Sequence, residues 1–269
     1  MAIITISRGS YSKGKEVAEK VAQRLGYECV SREILLEASG QFDIPEIKLV
    51  RALHDAPSFL DRFTQGKERY LAYIESVLLE RVKKDNVVYH GLAGHFFLKD
   101  IPHVLKVRVI ADIEDRVRIE MEREKISRDE ALSILRKDDY ERRQWSLKLY
   151  GIDTWDPSLY DIVLHIRKIA VDHAVDIICR TAVLDQFKTT PEYQKVLSDM
   201  ALAAHVKAAL VNTLPGVRVT AEGGVVYVEA GAHESKHSRM AAEIKAMAMK
   251  VPGVQDVNVH VTPTPYISQ

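Results

Sequence analysis

A chain of 269 residues with 38 basic and 38 acidic side chains carries no net charge at neutral pH, so no global field calls for nucleic acid as a partner, and any anion site must come from local clusters. The length allows one large domain or two with a substantial core, and the two cysteines, Cys29 and Cys179, stand in no metal or redox spacing and read as buried free thiols in a reducing compartment. The N-terminus lacks the layout of a signal peptide and its apolar run is too short to span a bilayer, so the expected location is cytoplasmic, with no integral membrane association.

The first strand, 3–7, is an apolar β-branched run leading into Arg8-Gly9-Ser10-Tyr11-Ser12-Lys13-Gly14-Lys15-Glu16, with a helix expected over 16–25. Strand, glycine-bearing loop and helix start is the arrangement that aims backbone N–H groups and a helix N-terminus at phosphates, with a lysine as added positive charge. Gly9-x-x-x-x-Gly14-Lys15 fits the P-loop pattern, although Glu16 stands where that pattern has a magnesium-ligating Ser or Thr. The loop thus points first to phosphate binding and second to magnesium-dependent transfer. The plain alternative is an ordinary β–turn–α connection; the clean strand before it and the patterned helix after it favour the phosphate reading.

Further short apolar strands are expected at 27–30, 86–90, 104–110 and 162–166, separated by helices at 32–38, 68–84, 113–124, 127 to about 149, and 171–181. Ser127-Arg128-Asp129-Glu130 has the form of a capping box. Strands alternating with helices argue for a parallel sheet covered on both faces, with ligands at the carboxyl ends of its strands, where the Gly9–Lys15 loop emerges. Two segments, 40–66 and 113–151, exceed what crossovers require and suit lids or substrate arms. In the second, Arg142-Arg143 follows Asp138-Asp139, and an arginine fork suits bidentate phosphate contact. His90 and His95 flank the third strand, where a hydrogen-bonded structural histidine is the usual finding. The histidines show no metal-ligand spacing, so no metal site built by the protein is expected.

The stretch 185–194 reads as a polar linker. Beyond it a helix at 199–211, strands at 217–221 and 225–230, a helix at 233–250 and a strand at 254–261 form a compact αββαβ module, whose Gly223-Gly224 turn needs positive φ. The expected domains are therefore 1–184, the linker 185–194, and 195–269.

Residues 2–182 resemble the cytidylate kinase-like family of nucleoside monophosphate kinases. The resemblance rests on Ile4-Thr5-Ile6-Ser7-Arg8, Gly14-Lys15-Glu16, Leu25-Gly26, Ser31-Arg32-Glu33, Asp139-Tyr140-Glu141-Arg142, Tyr150-Gly151-Ile152-Asp153-Thr154-Trp155 and Tyr160-Asp161. It implies an α/β fold with a five-stranded parallel sheet, helices on both faces and a P-loop, with ATP and Mg2+ as cofactors and a nucleoside monophosphate, CMP or dCMP, as acceptor. Mapped onto this chain, Gly9, Ser10, Tyr11, Ser12, Lys13, Gly14, Lys15 and Glu16 would cradle the ATP phosphates. Arg8, Arg32, His90 and His95 would face the acceptor, and Lys15, Arg136, Arg142 and Arg143 would carry catalysis. Two positions depart from the family: Ser31 replaces an acidic residue, and Leu92 lies where relatives often carry Gly-Arg. The alternative they raise is a catalytically weak nucleotide-binding regulatory protein. Residues 195–263 resemble a BON domain, which implies an interaction module for a ligand, a protein partner or a homodimer.

Overall fold

In this computed structural model the described residues are 2–54, 66–91, 93–232 and 237–263. Five β-branched segments form one wholly parallel sheet: β1 (Ile3–Arg8), β2 (Glu28–Val30), β3 (Val87–Tyr89), β4 (Val104–Ala111) and β5 (Ile162–Ile166), in the order β2-β3-β1-β4-β5. Central β1 aligns Ile4 with Val88 on one side and Leu105 on the other. Alternation along β1 feeds two apolar layers. Ile4 and Ile6 pack with α1 (Gly14–Leu25) and α8 (Val171–Ala182), while Ile3 packs with α2 (Glu33–Phe42), α3 (Glu46–His54) and α4 (Gly66–Val82). Ile3, Ile4 and Ile6 are each at most 1% exposed, and full burial of one such side chain contributes roughly 1.5–3 kcal/mol. A sheet dry on both faces explains its continuously apolar strands.

After β3 a short helix α5 (Gly94–Phe97) precedes β4, and an antiparallel pair follows it, α6 (Ile113–Glu124) and α7 (Arg128–Tyr150), joined through Val117, Ala131 and Leu135. The capping box is present: the Glu130 N–H donates to Ser127 Oγ at 3.3 Å, and the Ser127 N–H donates to Glu130 Oε2 at 2.9 Å. Of the 40–66 excursion, the structure shows the end of α2 and all of α3; 55–65 lie outside the described residues.

The stretch expected as a linker, 185–194, is structured. It holds a 3-10 turn, Asp185–Phe187, and the first turn of α9 (Pro191–Leu210), which starts well before residue 199. Thr190 caps it, its Oγ1 accepting the Tyr193 N–H at 3.2 Å, and Pro191 occupies the first helical position. Leu197, Ala201 and Ala204 of α9 join the core of the parallel-sheet layer, packing with α4, and Ala208 and Val211 meet Ala72 and Tyr73. A second sheet pairs β6 (Arg218–Glu222) antiparallel to β7 (Val225–Ala232), and β7 parallel to β8 (Asp256–Pro263). Gly223 and Gly224 turn the hairpin at φ 55° and 88°. The helix expected over 233–250 is α10 (His237–Ala248); 233–236 lie outside the described residues. Val206, Leu210, Val226, Val228, Ile244 and Val257 form the small core. No described helix is long and apolar enough to cross a membrane. Cys29 is half-buried, Cys179 is buried, and both are free thiols.

Candidate active site

The loop after β1 is held by its own side chains. Tyr11 and Lys13 take left-handed backbone conformations, φ 56° and 66°. The Ser12 hydroxyl reaches Gly9 O at 3.0 Å and Val109 O at 3.1 Å, tying the loop to β4. The Ser10 hydroxyl donates to Asp138 Oδ2 at 3.1 Å, and the Ser10 carbonyl accepts Arg116 Nε at 2.7 Å. Arg116 in turn forms a two-pronged pair with Asp139, at 2.8 and 2.9 Å. This buried fork fastens the loop to α6 and α7. Tyr11 packs on the Val117–Ala131–Leu135 cluster with its ring under Arg123, 4.8 Å from the guanidinium carbon.

Helix α1 begins at Gly14, and only glycine fits there. A Cβ at that position would lie 2.6 Å from Arg8 Cβ and 2.7 Å from Arg8 Cδ, so the Arg8 stem rests directly on the first residue of the helix. Glycine at 94 serves a similar purpose: its Cβ would collide with the Tyr89 ring and with Thr5 Oγ1.

Beside the loop, at the carboxyl ends of β1, β3 and β4, lies a cavity of about 560 Å³. Arg8, Gly9 and Arg142 form its loop side, Leu35, Ile47, Val50 and Leu53 an apolar wall from α2 and α3, and Phe96, Trp145 and Trp155 an aromatic one. Burial holds the Arg8 guanidinium below its ordinary range, and neighbouring Arg142 lowers it further. Burial likewise lowers Arg142, with Asp138 and Asp139 opposing. Arg142 Nη1 donates to the Arg8 carbonyl at 3.3 Å, while Arg8 Nε is buried without a partner. Neither guanidinium forms an ion pair among the described residues.

The remaining expected site residues fall in different places. Lys15 Nζ is 3.7 Å from Glu19, with a side chain 66% exposed, and does not line the cavity. Lys13 and Glu16 pair with each other at 3.9 Å. Arg32 borders the cavity but is engaged by Glu46 at 2.6 and 2.9 Å. Arg143 is held by Asp153, closest at 2.6 Å, and lies 4.7 Å from the centre of the Trp155 ring. Arg136 is exposed on α7. His90 and His95 both line the cavity. Burial and then Arg8 lower the His90 imidazole, and burial pushes His95 down to about 3, so both are neutral at pH 7. Of the two departures, Ser31 lines the cavity and its N–H donates to Glu33 Oε2 at 2.7 Å, whereas Leu92 lies outside the described residues.

Sequence reasoning missed Arg108, Arg116 and the roles of Asp138 and Asp139. Arg108 lines the cavity and donates to the Tyr160 hydroxyl at 3.1 Å. Its signal was the alternating pair of charged residues, Lys106 and Arg108, inside a mostly apolar parallel strand. The Arg116–Asp139 pair joins two helices, and no local pattern encodes it.

A phosphate-type loop at the carboxyl edge of a five-stranded parallel sheet, beside an arginine-lined cavity, defines a phosphotransferase of the P-loop kinase fold. Residues 3–168 match the cytidylate kinase-like family. A cytidylate kinase of Pyrococcus horikoshii is 25% identical over 169 residues, covering 62% of this chain and 80% of that protein. One from Pyrobaculum aerophilum is 26% identical over 179 residues, covering 66% and 90%. Among solved structures, an uncharacterized protein from Eubacterium ventriosum shares the fold with a TM-score of 0.51 at 23% identity, over 67% of this chain and 98% of that one. The chain belongs to the cytidylate kinase-like family and is by class a nucleoside monophosphate kinase.

Proposed function

We propose that the enzyme transfers the γ-phosphoryl group of ATP to a cytidine monophosphate, CMP or dCMP. The observation that carries this reading is the junction of loop and cavity, where two half-buried guanidinium groups, neither of them in an ion pair among the described residues, adjoin a cavity of about 560 Å³. Arginine forks offset charge on the transferring group, and phosphoryl transfer depends mainly on such positioning and electrostatics. The apolar wall from α2 and α3 and the aromatic wall around Trp145 suit a nucleoside base, and their packing excludes water from the reacting groups.

Mg2+ bound with ATP would supply positive charge that offsets the charge of the phosphates. Among the described residues no group of three or more His, Cys, Asp and Glu could hold a metal. That fits an ion held chiefly by phosphates and water with one protein carboxylate. Asp138, beside the loop and accepting from the Ser10 hydroxyl, is a carboxylate that could help hold the ion, whereas Asp139 is engaged by Arg116. We further propose that the C-terminal sheet with the last half of α9 and α10 is a BON-like interaction module, continuous through α9 with the parallel-sheet layer, and that the location is cytoplasmic.

The test is ADP release from Mg-ATP with a panel of ribo- and deoxynucleoside monophosphates. Turnover restricted to CMP and dCMP supports the proposal. ATP protection against thermal unfolding without turnover of any monophosphate would favour the non-catalytic regulatory alternative instead.

A further inference from the structure

We infer that Arg108, on β4, is a cation that holds the phosphate of the acceptor monophosphate, and that the Tyr160 hydroxyl is the group that aims it. The inference rests on the phosphotransfer reading and deepens it.

A charge inside a mostly buried strand is costly unless something compensates it. β4 carries two, Lys106 and Arg108, which alternation places on one face of the sheet. Lys106 is satisfied within the protein: its Nζ donates to the Lys99 carbonyl at 2.8 Å, and it does not line the cavity. Arg108 is half-buried and does line it. Its Nη1 donates to the Tyr160 hydroxyl at 3.1 Å, a neutral acceptor, and it forms no ion pair among the described residues. The two carboxylates along the cavity are engaged elsewhere, Glu46 by Arg32 at 2.6 Å and Asp139 by Arg116 at 2.8 Å. Asp153 is held below its usual range first by its hydrogen bonds to Arg143, closest at 2.6 Å, and only last by Arg108. No carboxylate lining the cavity therefore neutralises Arg108; an anionic ligand group would.

Tyr160 fixes where that charge sits. The residue is 8% exposed, and its hydroxyl donates to the Thr154 carbonyl at 3.1 Å and lies 3.4 Å from Ser7 Oγ. With its proton so directed, the phenolic oxygen accepts from Arg108. The guanidinium carbon also lies 5.4 Å from the centre of the same ring. Hydroxyl and ring together restrain a long side chain while occupying one of its N–H donors.

Topology decides which part of a nucleotide meets it. Arg108 is the register partner of Ser7, about 4.8 Å away across the strands, and Ser7 stands two residues before Gly9 of the phosphate-type loop. The apolar wall of Leu35, Ile47, Val50 and Leu53 comes from α2 and α3, which follow β2, on the other side of β1 from β4. A monophosphate laid with its base on that wall has its charged end toward the loop and Arg108, where an arginine fork can hold two phosphate oxygens. Held there, the acceptor faces the nucleotide on the loop, and such positioning is the main source of rate in phosphoryl transfer.

The experiment uses the full chain as wild type, Arg108→Met, Arg108→Lys, Tyr160→Phe and Lys106→Met. CMP and cytidine are the probes, read by calorimetric affinity, KM for CMP and for ATP, and ligand-free melting temperature. Arg108→Met is expected to weaken CMP at least about tenfold while cytidine stays within about twofold of wild type. KM for CMP should rise by a like factor, with KM for ATP unchanged. Arg108→Lys should restore part of the loss, since lysine keeps the charge without the fork. Tyr160→Phe should weaken CMP about threefold and leave cytidine alone, a selectivity for the phosphate that a merely structural tyrosine would not show. Lys106→Met, which removes a charge from the same strand outside the cavity, should match wild type for both probes. Equal losses of CMP and cytidine in Arg108→Met place the residue at the base or sugar and overturn the inference. Unchanged CMP affinity in Arg108→Met, or an equal loss in Lys106→Met, overturns it too. If Arg108→Met does not fold, Arg108→Gln, which keeps a donor for Tyr160, takes its place. If cytidine binds none of the proteins, the split between KM for CMP and KM for ATP decides. If wild type turns over a different monophosphate, that monophosphate and its nucleoside replace the two probes. If it turns over none, the phosphotransfer reading fails and binding decides: a loss confined to CMP in Arg108→Met supports the phosphate anchor, and no CMP binding in wild type rejects it.

Discussion

At the carboxyl edge of the parallel sheet three buried nitrogens, Arg8 Nε, His90 Nδ1 and His95 Nε2, have no hydrogen-bond partner, whereas none of the described residues from 191 to 263 carries such an atom. The small sheet instead closes a plain apolar core of valines, alanines and Ile244. Unpaired buried polar groups cost stability wherever they persist. Three of the eight such atoms among the described residues belong to side chains that line the cavity, and the other five lie at Arg69, Ser76, Arg81 and His103, all in the parallel-sheet layer, so that layer tolerates unpaired polar groups where the C-terminal sheet is built to pack.

The contrast can be broken most severely by cutting the chain after residue 184. A parallel-sheet layer independent of the C-terminal residues would fold normally after the cut. Loss of Leu197, Ala201 and Ala204 from its core is instead expected to lower the melting temperature by more than about 10 °C or to cause aggregation, as thermal denaturation and light scattering would show. Gly14→Ala comes next. The added methyl must displace the Arg8 stem, so turnover should fall about a hundredfold, roughly 2.7 kcal/mol, while circular dichroism stays native.

Acid should then sharpen the comparison. An unfolded histidine titrates near 6.5, whereas His95 in the folded protein is pushed down to about 3. Above pH 6.5 the side chain is neutral in both states and stability is complete. Between about 6.5 and 3 only the unfolded chain takes up the proton, so stability falls as pH falls, by up to about 1.4 kcal/mol per pH unit. His95→Phe should flatten that slope in urea titrations at several pH values; an unchanged slope would contradict the buried neutral imidazole. The smallest effect is expected at Ser127→Ala, where loss of the observed cap should cost about 1 kcal/mol in chemical denaturation and leave turnover alone.

Much of the fold was legible because its signals are local. The β-branched runs became strands within a residue or two, and Ser127 with Glu130 announced the start of α7. The start of α9 was misread although Thr190 and Pro191 are proper opening residues; a polar Thr-Thr-Pro stretch looks like a linker until the apolar positions Leu197, Ala201 and Ala204 find α4. Helix α3 was missed because its apolar positions are interrupted by charges and follow Pro45. In the site, the phosphate-type loop could be read from its spacing. The packing of the Arg8 stem over Gly14 and the Lys15–Glu19 contact could not, since a one-dimensional pattern does not show them.

Helix α9 has its first half in the core of the large sheet and its last half in the core of the small one. At 20 residues it spans about 30 Å without interruption. Neither sheet can lose this helix without exposing part of the other's interior, so the two are not separate melting units. Differential scanning calorimetry should therefore record a single heat-absorption peak for the full chain, with a van't Hoff enthalpy matching the calorimetric one.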